Sequence, residues 1–354
     1  MCAAERRTRM IRSWMKTGAA SVMCRTGLDN LINSLSGAKG VPLVISYHRV
    51  VEDFEASAQT SIPSMLVSRR MLEQHLDWIG RRYRFISLDE LGARLEAKDT
   101  RADPVAAVTF DDGYRDFYDH ALPVLKRKGV PAAVFVVTDL VGTNRVQVHD
   151  KLYLLLTRRF KPNSGEPPPF QATRALLENL PQADIEKLIR TLEPEVAISD
   201  DTFRPFYSLT WEMLDVIRRA GMTVGSHTRT HVLMTNESRQ RVLEEAAGSR
   251  REIEARLGTG VQHFAYPSGY FNPVAVDAVA AAGYRFGYTT CTHQDVGFPR
   301  LTVARTVLWE HSSCDSHGQF SGSVLSCQIH RAFALMGGCR QRHTGSQENG
   351  HGQF

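Results

Sequence analysis

Three short segments of this chain bring acidic, imidazole and turn-forming residues together at spacings that could do chemistry. The first is Thr109-Phe110-Asp111-Asp112-Gly113-Tyr114, where two adjacent carboxylates follow an apolar run. Carboxylates beside a buried strand are costly unless a partner neutralises them or a reaction uses them. Gly113 lets the chain turn sharply and bring both into one pocket. Asp-Gly also closes ordinary turns, so this segment alone leaves both readings open. The second is Ser226-His227-Thr228-Arg229-Thr230-His231. Two histidines four residues apart on one turn can face a single cation, or can simply be exposed loop residues. Joined by a carboxylate, they would complete a two-histidine, one-carboxylate set with positions open for water and substrate. That set suits Zn²⁺ or another divalent transition metal such as Co²⁺, Ni²⁺ or Fe²⁺. The third is Phe264-Ala265-Tyr266-Pro267-Ser268-Gly269, which can form a rigid turn presenting a backbone N–H or a plain surface turn.

The elements that must position these segments follow from the apolar pattern. Residues 43–45 read as a short buried strand after Gly37, Gly40 and Pro42. Residues 71–83 space Leu72, Leu76 and Ile79 along one helix face, and Ser87-Leu88-Asp89-Glu90 is a capping box for the next helix. A continuous apolar run at 105–110, a helix through Val124 and Leu125 ending at Gly129, and a strand at 132–137 give the strand–helix–strand rhythm of a parallel α/β fold. The rhythm breaks over about 138–207, a Pro-rich and helical stretch read as a loop insertion. It resumes with a helix at 211–220, a strand at 222–225 and a long helix from Asn236 that aligns Val242, Ala246, Ser249, Ile253 and Leu257. Strands at 263–266 and 285–289 flank an Ala-rich helix after Pro273. All three chemical segments therefore lie at or just past the C-terminal ends of strands, where parallel barrels place active sites.

The chain has 354 residues, 42% hydrophobic and 23% charged, with a net charge of +5. That is a globular composition of one large domain or two modest ones. Residues 1–40 read as a basic helical or irregular leader, 41–335 as the barrel domain with its insertion, and 340–354 as a polar, disordered tail. Arg6, Arg7, Arg9 and Arg12 stand almost without acidic counterweight. Such a leader can stay solvated, or can rest on an anionic bilayer at about 1 kcal/mol per basic residue. The basic residues do not interleave with aromatics, which argues against nucleic acid. Six scattered cysteines without CxxC pairs argue against a disulfide framework and a thiolate zinc site. No stretch has the apolar core of a signal peptide or the ~20 apolar residues of a spanning helix. The expectation is a cytoplasmic protein, with peripheral membrane contact through the leader.

Together, the three segments in this order resemble the polysaccharide deacetylase family, also called the NodB homology domain or carbohydrate esterase family 4. The resemblance covers residues 41–321 without the insertion. Tyr47-His48-Arg49-Val50 adds a likeness to members of exopolysaccharide and capsule pathways. The resemblance implies a distorted parallel (β/α)7-type barrel with a helical loop insertion. It implies that Asp112, His227 and His231 bind the metal and that Asp111 is the general base toward a metal-bound water attacking the acetyl carbonyl. It further implies that a backbone N–H near Ser268 holds the oxyanion. The family's usual arginine partner of the base is replaced by Ala265, and its usual late acid histidine has no clean copy. His311 and His48 are the candidates for that acid, with His293 and His317 behind them. His149-Asp150, in the insertion, reads as a helix start. The implied reaction is hydrolytic deacetylation of an N-acetylglucosamine-type unit in a polysaccharide or a lipid-linked precursor. An O-acetyl esterase and a catalytically silent sugar-binding or assembly module are the other readings these motifs allow.

Overall fold

The run Val105–Phe110 is buried at every position, as a strand must be when both faces of a parallel sheet are covered. In the computed structural model, which describes residues 17–23, 26, 42–97, 103–159, 169–196 and 198–332, the same burial recurs in the other long strands. In chain order the strands are β1 (Leu43–Tyr47), β2 (Arg49–Val51), β3 (Leu66–Ser68), β4 (Arg84–Phe85), β5 (Val105–Phe110) and β6 (Ala132–Val136). They continue with β7 (Thr223–Ser226), β8 (His263–Ala265), β9 (Phe286–Thr289), β10 (Val303–Ala304) and β11 (Thr306–Val307). The main sheet runs β10-β9-β8-β7-β6-β5-β1-β11, with β4 beside β5, while β2 and β3 form a separate pair.

Only Arg305 separates β10 from β11. The first pairs with β9 and the second with β1, both in parallel. One five-residue seam thus joins the two ends of the sheet and makes a nearly closed barrel of eight parallel strands, the distorted β/α barrel that the resemblance implied.

Side chains alternate across each strand, so two cores form. Val44, Val105, Ala107, Ala133, Phe135, Ala265, Phe286 and Tyr288 fill the barrel interior, and Ile86, Leu88 and Leu91 close its lower end. Their chain neighbours, such as Ile45, Ala106, Val108 and Val134, face the surrounding helices in a second, larger core. The helices start and stop where local chemistry dictates. Ser68 accepts a hydrogen bond from Met71 N to begin Arg69–Gly80, and Ser238 caps Arg239–Leu257 in the same way. Gly129, in the left-handed region, ends Leu122–Lys128.

Several boundaries differ from the sequence reading for identifiable reasons. The long helix begins at Arg239 rather than Asn236, because Met234–Asn236 is a 3-10 turn and Ser238 is the cap. At the expected capping box, Ser87 Oγ accepts from Glu90 N at 3.1 Å, but the Glu90 carboxylate pairs with Arg84 and Arg94 instead of turning back. The pairs β2–β3 and β10–β11 and the strand β4 are two or three residues long, too short to show a period. Between β6 and β7 the chain forms helices Val148–Arg159, Pro169–Asn179 and Gln182–Leu192, which enclose a small core of their own around Leu152, Leu155, Ile185 and Ile189. Residues 17–23 are helical, and Ala20 packs with Val324 and Cys327. The arginines of the basic leader and the segment 340–354 lie outside the described residues. No helix among the described residues is long and apolar enough to cross a membrane.

Candidate active site at the strand ends

Asp111, Asp112, His48, His227 and Ser268 each follow a strand on one end of the barrel, and the loops bring them to one cavity or its wall. Four site residues take positive φ although none is glycine: Asp112 (70°), Thr228 (68°), His231 (64°) and Ser268 (56°). Such backbone costs on the order of 1–3 kcal/mol at each position and persists only where the surroundings impose it. The surroundings are visible. Buried Glu245, on the helix Arg239–Leu257, accepts from the backbone N–H groups of Arg229 and Thr230 at 2.8 and 2.9 Å and from Thr230 Oγ1 at 2.8 Å. Thr228 Oγ1 accepts from His231 N at 2.9 Å. Gly269 (φ 70°) lets the third motif pass Thr290 so closely that a Cβ would stand 2.2 Å from its hydroxyl.

The ligand atoms of Asp112, His227 and His231 all lie within 4.8 Å of one another. His227 Nδ1 is 2.8 Å from the carbonyl oxygen of Ala265, an arrangement in which the ring donates Nδ1–H and leaves the Nε2 lone pair facing Asp112. His227 Nε2 and His231 Nε2 stand 3.5 and 3.0 Å from Asp112 Oδ1. The shorter contact lacks hydrogen-bond alignment, so both carboxylate oxygens of Asp112 are buried without a hydrogen-bond partner. Burial raises the Asp112 carboxyl, but His231 and the neighbouring histidines outweigh it and hold the group well below the usual carboxylate range. Burial pushes His227 down to about 4, leaving it a neutral ligand at ordinary pH. A buried carboxylate with vacant lone pairs beside two imidazoles fits a divalent cation in an N₂O set with open positions.

Asp111 has the opposite surroundings. Arg305 Nη1 and Nη2 donate to its two oxygens at 2.7 and 2.8 Å, and Ser46 Oγ donates at 3.1 Å. Burial raises its carboxyl, and Arg305, His227 and His48 together reverse that and keep it low. The arginine expected of the third motif and absent at Ala265 is therefore matched by one from the barrel seam. Sequence reasoning missed Arg305, which is 194 residues from Asp111. Ala265 still serves the site, through its carbonyl on His227.

A cavity of about 440 Å³ is lined by His48, Asp111, Asp112, His149, His231, Ser268 and apolar residues of the insertion. His48 lines it, and its Nδ1 is buried without a hydrogen-bond partner. His311 is not brought to the cavity: it is exposed, with its ring edge-on to Phe54 at 4.8 Å. His293 and His317 are exposed as well. His149 both starts the helix Val148–Arg159 and enters the site. Its ring is 4.9 Å from that of His231, and its Nε2 is 2.9 Å from Tyr114 Oη, which donates to Asp150 at 2.6 Å. Burial pushes Asp150 up to about 7 and His149 down to about 3.

The sequence pattern of the polysaccharide deacetylase family matches residues 98–287. The chain is 21% identical over 228 residues to YxkH of Bacillus subtilis (strain 168), a match spanning 64% of this chain and 60% of that relative. Among solved structures, it is similar to the Streptococcus pyogenes deacetylase PplD in complex with acetate. That likeness has a TM-score of 0.53 and 20% identity and covers 78% of this chain and 95% of that one. It is likewise similar to IcaB from Ammonifex degensii, with a TM-score of 0.53, 19% identity and coverage of 81% and 96%. These structural likenesses concern the fold. The family pattern spans more than half of the chain, including both the paired carboxylates and the paired histidines, and the chain belongs to the polysaccharide deacetylase family.

Proposed function

We propose that the protein hydrolyses the acetamide of an N-acetylated sugar, an N-acetylglucosamine-type unit of a polysaccharide or lipid-linked glycan, with a divalent cation, zinc before Co²⁺, Ni²⁺ or Fe²⁺. The observation that carries this reading is the buried Asp112 carboxylate, whose oxygens have no hydrogen-bond partner and whose Oδ1 stands beside the Nε2 atoms of His227 and His231. A buried carboxylate needs compensating charge; His231 supplies part of it, and a cation held by these three residues would supply the rest. When bound, the cation would polarise the acetyl carbonyl and lower the pKa of water.

The chain's own groups do the rest. Asp111, held ionised and oriented by Arg305 and Ser46, accepts the proton of the attacking water. The backbone N–H at Ser268 is the group assigned to the developing oxyanion. Departure of an amine needs a proton, and His48 is the histidine assigned to supply it. A histidine in the cavity lining suits an amide, whose amine leaving group needs an acid more than an ester's does. Arg305 beside Asp111 and His48 in the cavity lining support an active enzyme over a silent binding module.

Acetate release from N-acetylated chitooligosaccharides tests the reading. We expect release by the zinc-loaded protein, loss on chelation and in Asp111→Asn, and a fall of about 10²-fold or more in His48→Gln. Release from O-acetylated glycans alone would assign the protein to the esterases instead.

A further inference from the structure

We propose that the acetylated sugar enters this site carrying an aliphatic chain, and that the helical insertion between β6 and β7 receives that chain. This rests on the deacetylase reading and names its substrate class.

The cavity of about 440 Å³ has two chemically distinct parts. Its floor is the carboxylate and histidine cluster. Much of the remaining lining is an apolar wall, formed by Phe170, Leu177, Leu180 and Ile185 of the insertion together with Ile62 and Leu233. Several of the polar groups that share this wall are committed within the protein, although the buried Thr173 hydroxyl is not. Arg174 Nε donates to Glu178 Oε1 at 2.6 Å, and Tyr270 Oη donates to the same oxygen at 2.7 Å. Gln182 Nε2 donates to Glu186 and to the carbonyl oxygen of Thr230.

A second and third sugar ring would bring hydroxyls on nearly every carbon to this wall. Most would lose their water and find few partners there. Methylene groups meet no such obstacle, and burying them is favourable. Leu177, Leu180 and Ile185 also pack in the insertion's own core with Leu152, Leu155, Leu156, Ile189 and Leu192, so they hold the wall in place from behind. Phe170 stands outside that cluster with 38% of its surface exposed at the cavity. The cavity has the size of a small-ligand pocket, and it is continuous with the reacting centre, so its occupant is joined to the sugar being deacetylated. Two sources supply such a chain: a lipid aglycone at the anomeric carbon, or an acyl group on the sugar itself.

The test is calorimetric binding to the zinc-loaded protein below micelle concentrations. One arm uses methyl, hexyl, octyl and decyl glycosides of N-acetylglucosamine; the other uses its 6-O-acyl esters of the same lengths. Affinity is expected to rise with length by up to about fourfold per methylene, in the arm that matches the native source. Phe170→Ser should flatten the rise and leave the methyl glycoside unchanged. Flat affinity along both series overturns the proposal. Acetate release is followed in the same samples. Length-dependent binding without any acetate would uphold the chain site and contradict the deacetylase reading, whereas acetate with flat binding would do the reverse.

Discussion

Asp111 and Asp112 are neighbours of identical chemistry, and their roles are separated by what each faces. Asp111 is clamped by the Arg305 fork, while Asp112 has two oxygens without a hydrogen-bond partner and its Oδ1 beside imidazoles. Removing Arg305 leaves Asp111 a buried charge without compensation. Arg305→Met is expected to lower stability by about 3–5 kcal/mol. It should also cut kcat by about 10²-fold through misplacement of the base, with KM little changed. Arg305→Lys keeps the charge but not the two-pronged geometry and should fall between the two. Denaturant unfolding and steady-state acetate release measure both effects, and wild-type kcat in the Met variant would remove Arg305 from the reaction. Asp111, Asp112, His227 and His231 were legible in the sequence because each pair is local and follows an apolar strand run. Arg305 was not, because its partner is brought to it only when the barrel closes. His149 was read as a helix start, and it is one; its second role depends on the insertion folding back over the strand ends.

At the scale of elements, long strands and capped helices announce themselves through burial and cap chemistry, whereas the seam β10–β11 has two residues on either side of Arg305 and no period to read. A different tie fastens the first strand to the outer layer. His75, on the helix Arg69–Gly80, is fully buried with Nδ1 3.1 Å from Tyr47 Oη and Nε2 2.6 Å from Ser313 Oγ. Burial pushes its pKa down to about 3. An unfolded histidine titrates near 6.5, so below that pH the unfolded chain takes up a proton that the folded one refuses. The stability involved is fully present above pH 6.5. It is lost toward pH 3 at up to about 1.4 kcal/mol per pH unit. His75→Gln removes this contribution to the slope. The stability gap between wild type and variant, measured by urea unfolding, should shrink from pH 7.5 to pH 5. A constant gap would mean that His75 does not titrate on unfolding.

Over the whole molecule, the barrel fixes the catalytic groups on rigid strand ends, and the insertion adds an apolar wall that the strand pattern could not foretell. The sequence placed the insertion at 138–207 from the loss of rhythm alone, and its helices fall within that span; how they face the site depends on tertiary packing. The barrel, the loop held by Glu245 and the carbonyl of Ala265 converge on one structural claim, that Asp112, His227 and His231 hold the cation on which activity depends. Zinc titration of chelated protein by calorimetry, with acetate release followed in parallel, tests it most directly. One site per chain is expected, with activity restored in step with its filling, and Asp112→Asn should abolish both. Undiminished acetate release by the fully chelated protein, or unchanged zinc binding in Asp112→Asn, would contradict it.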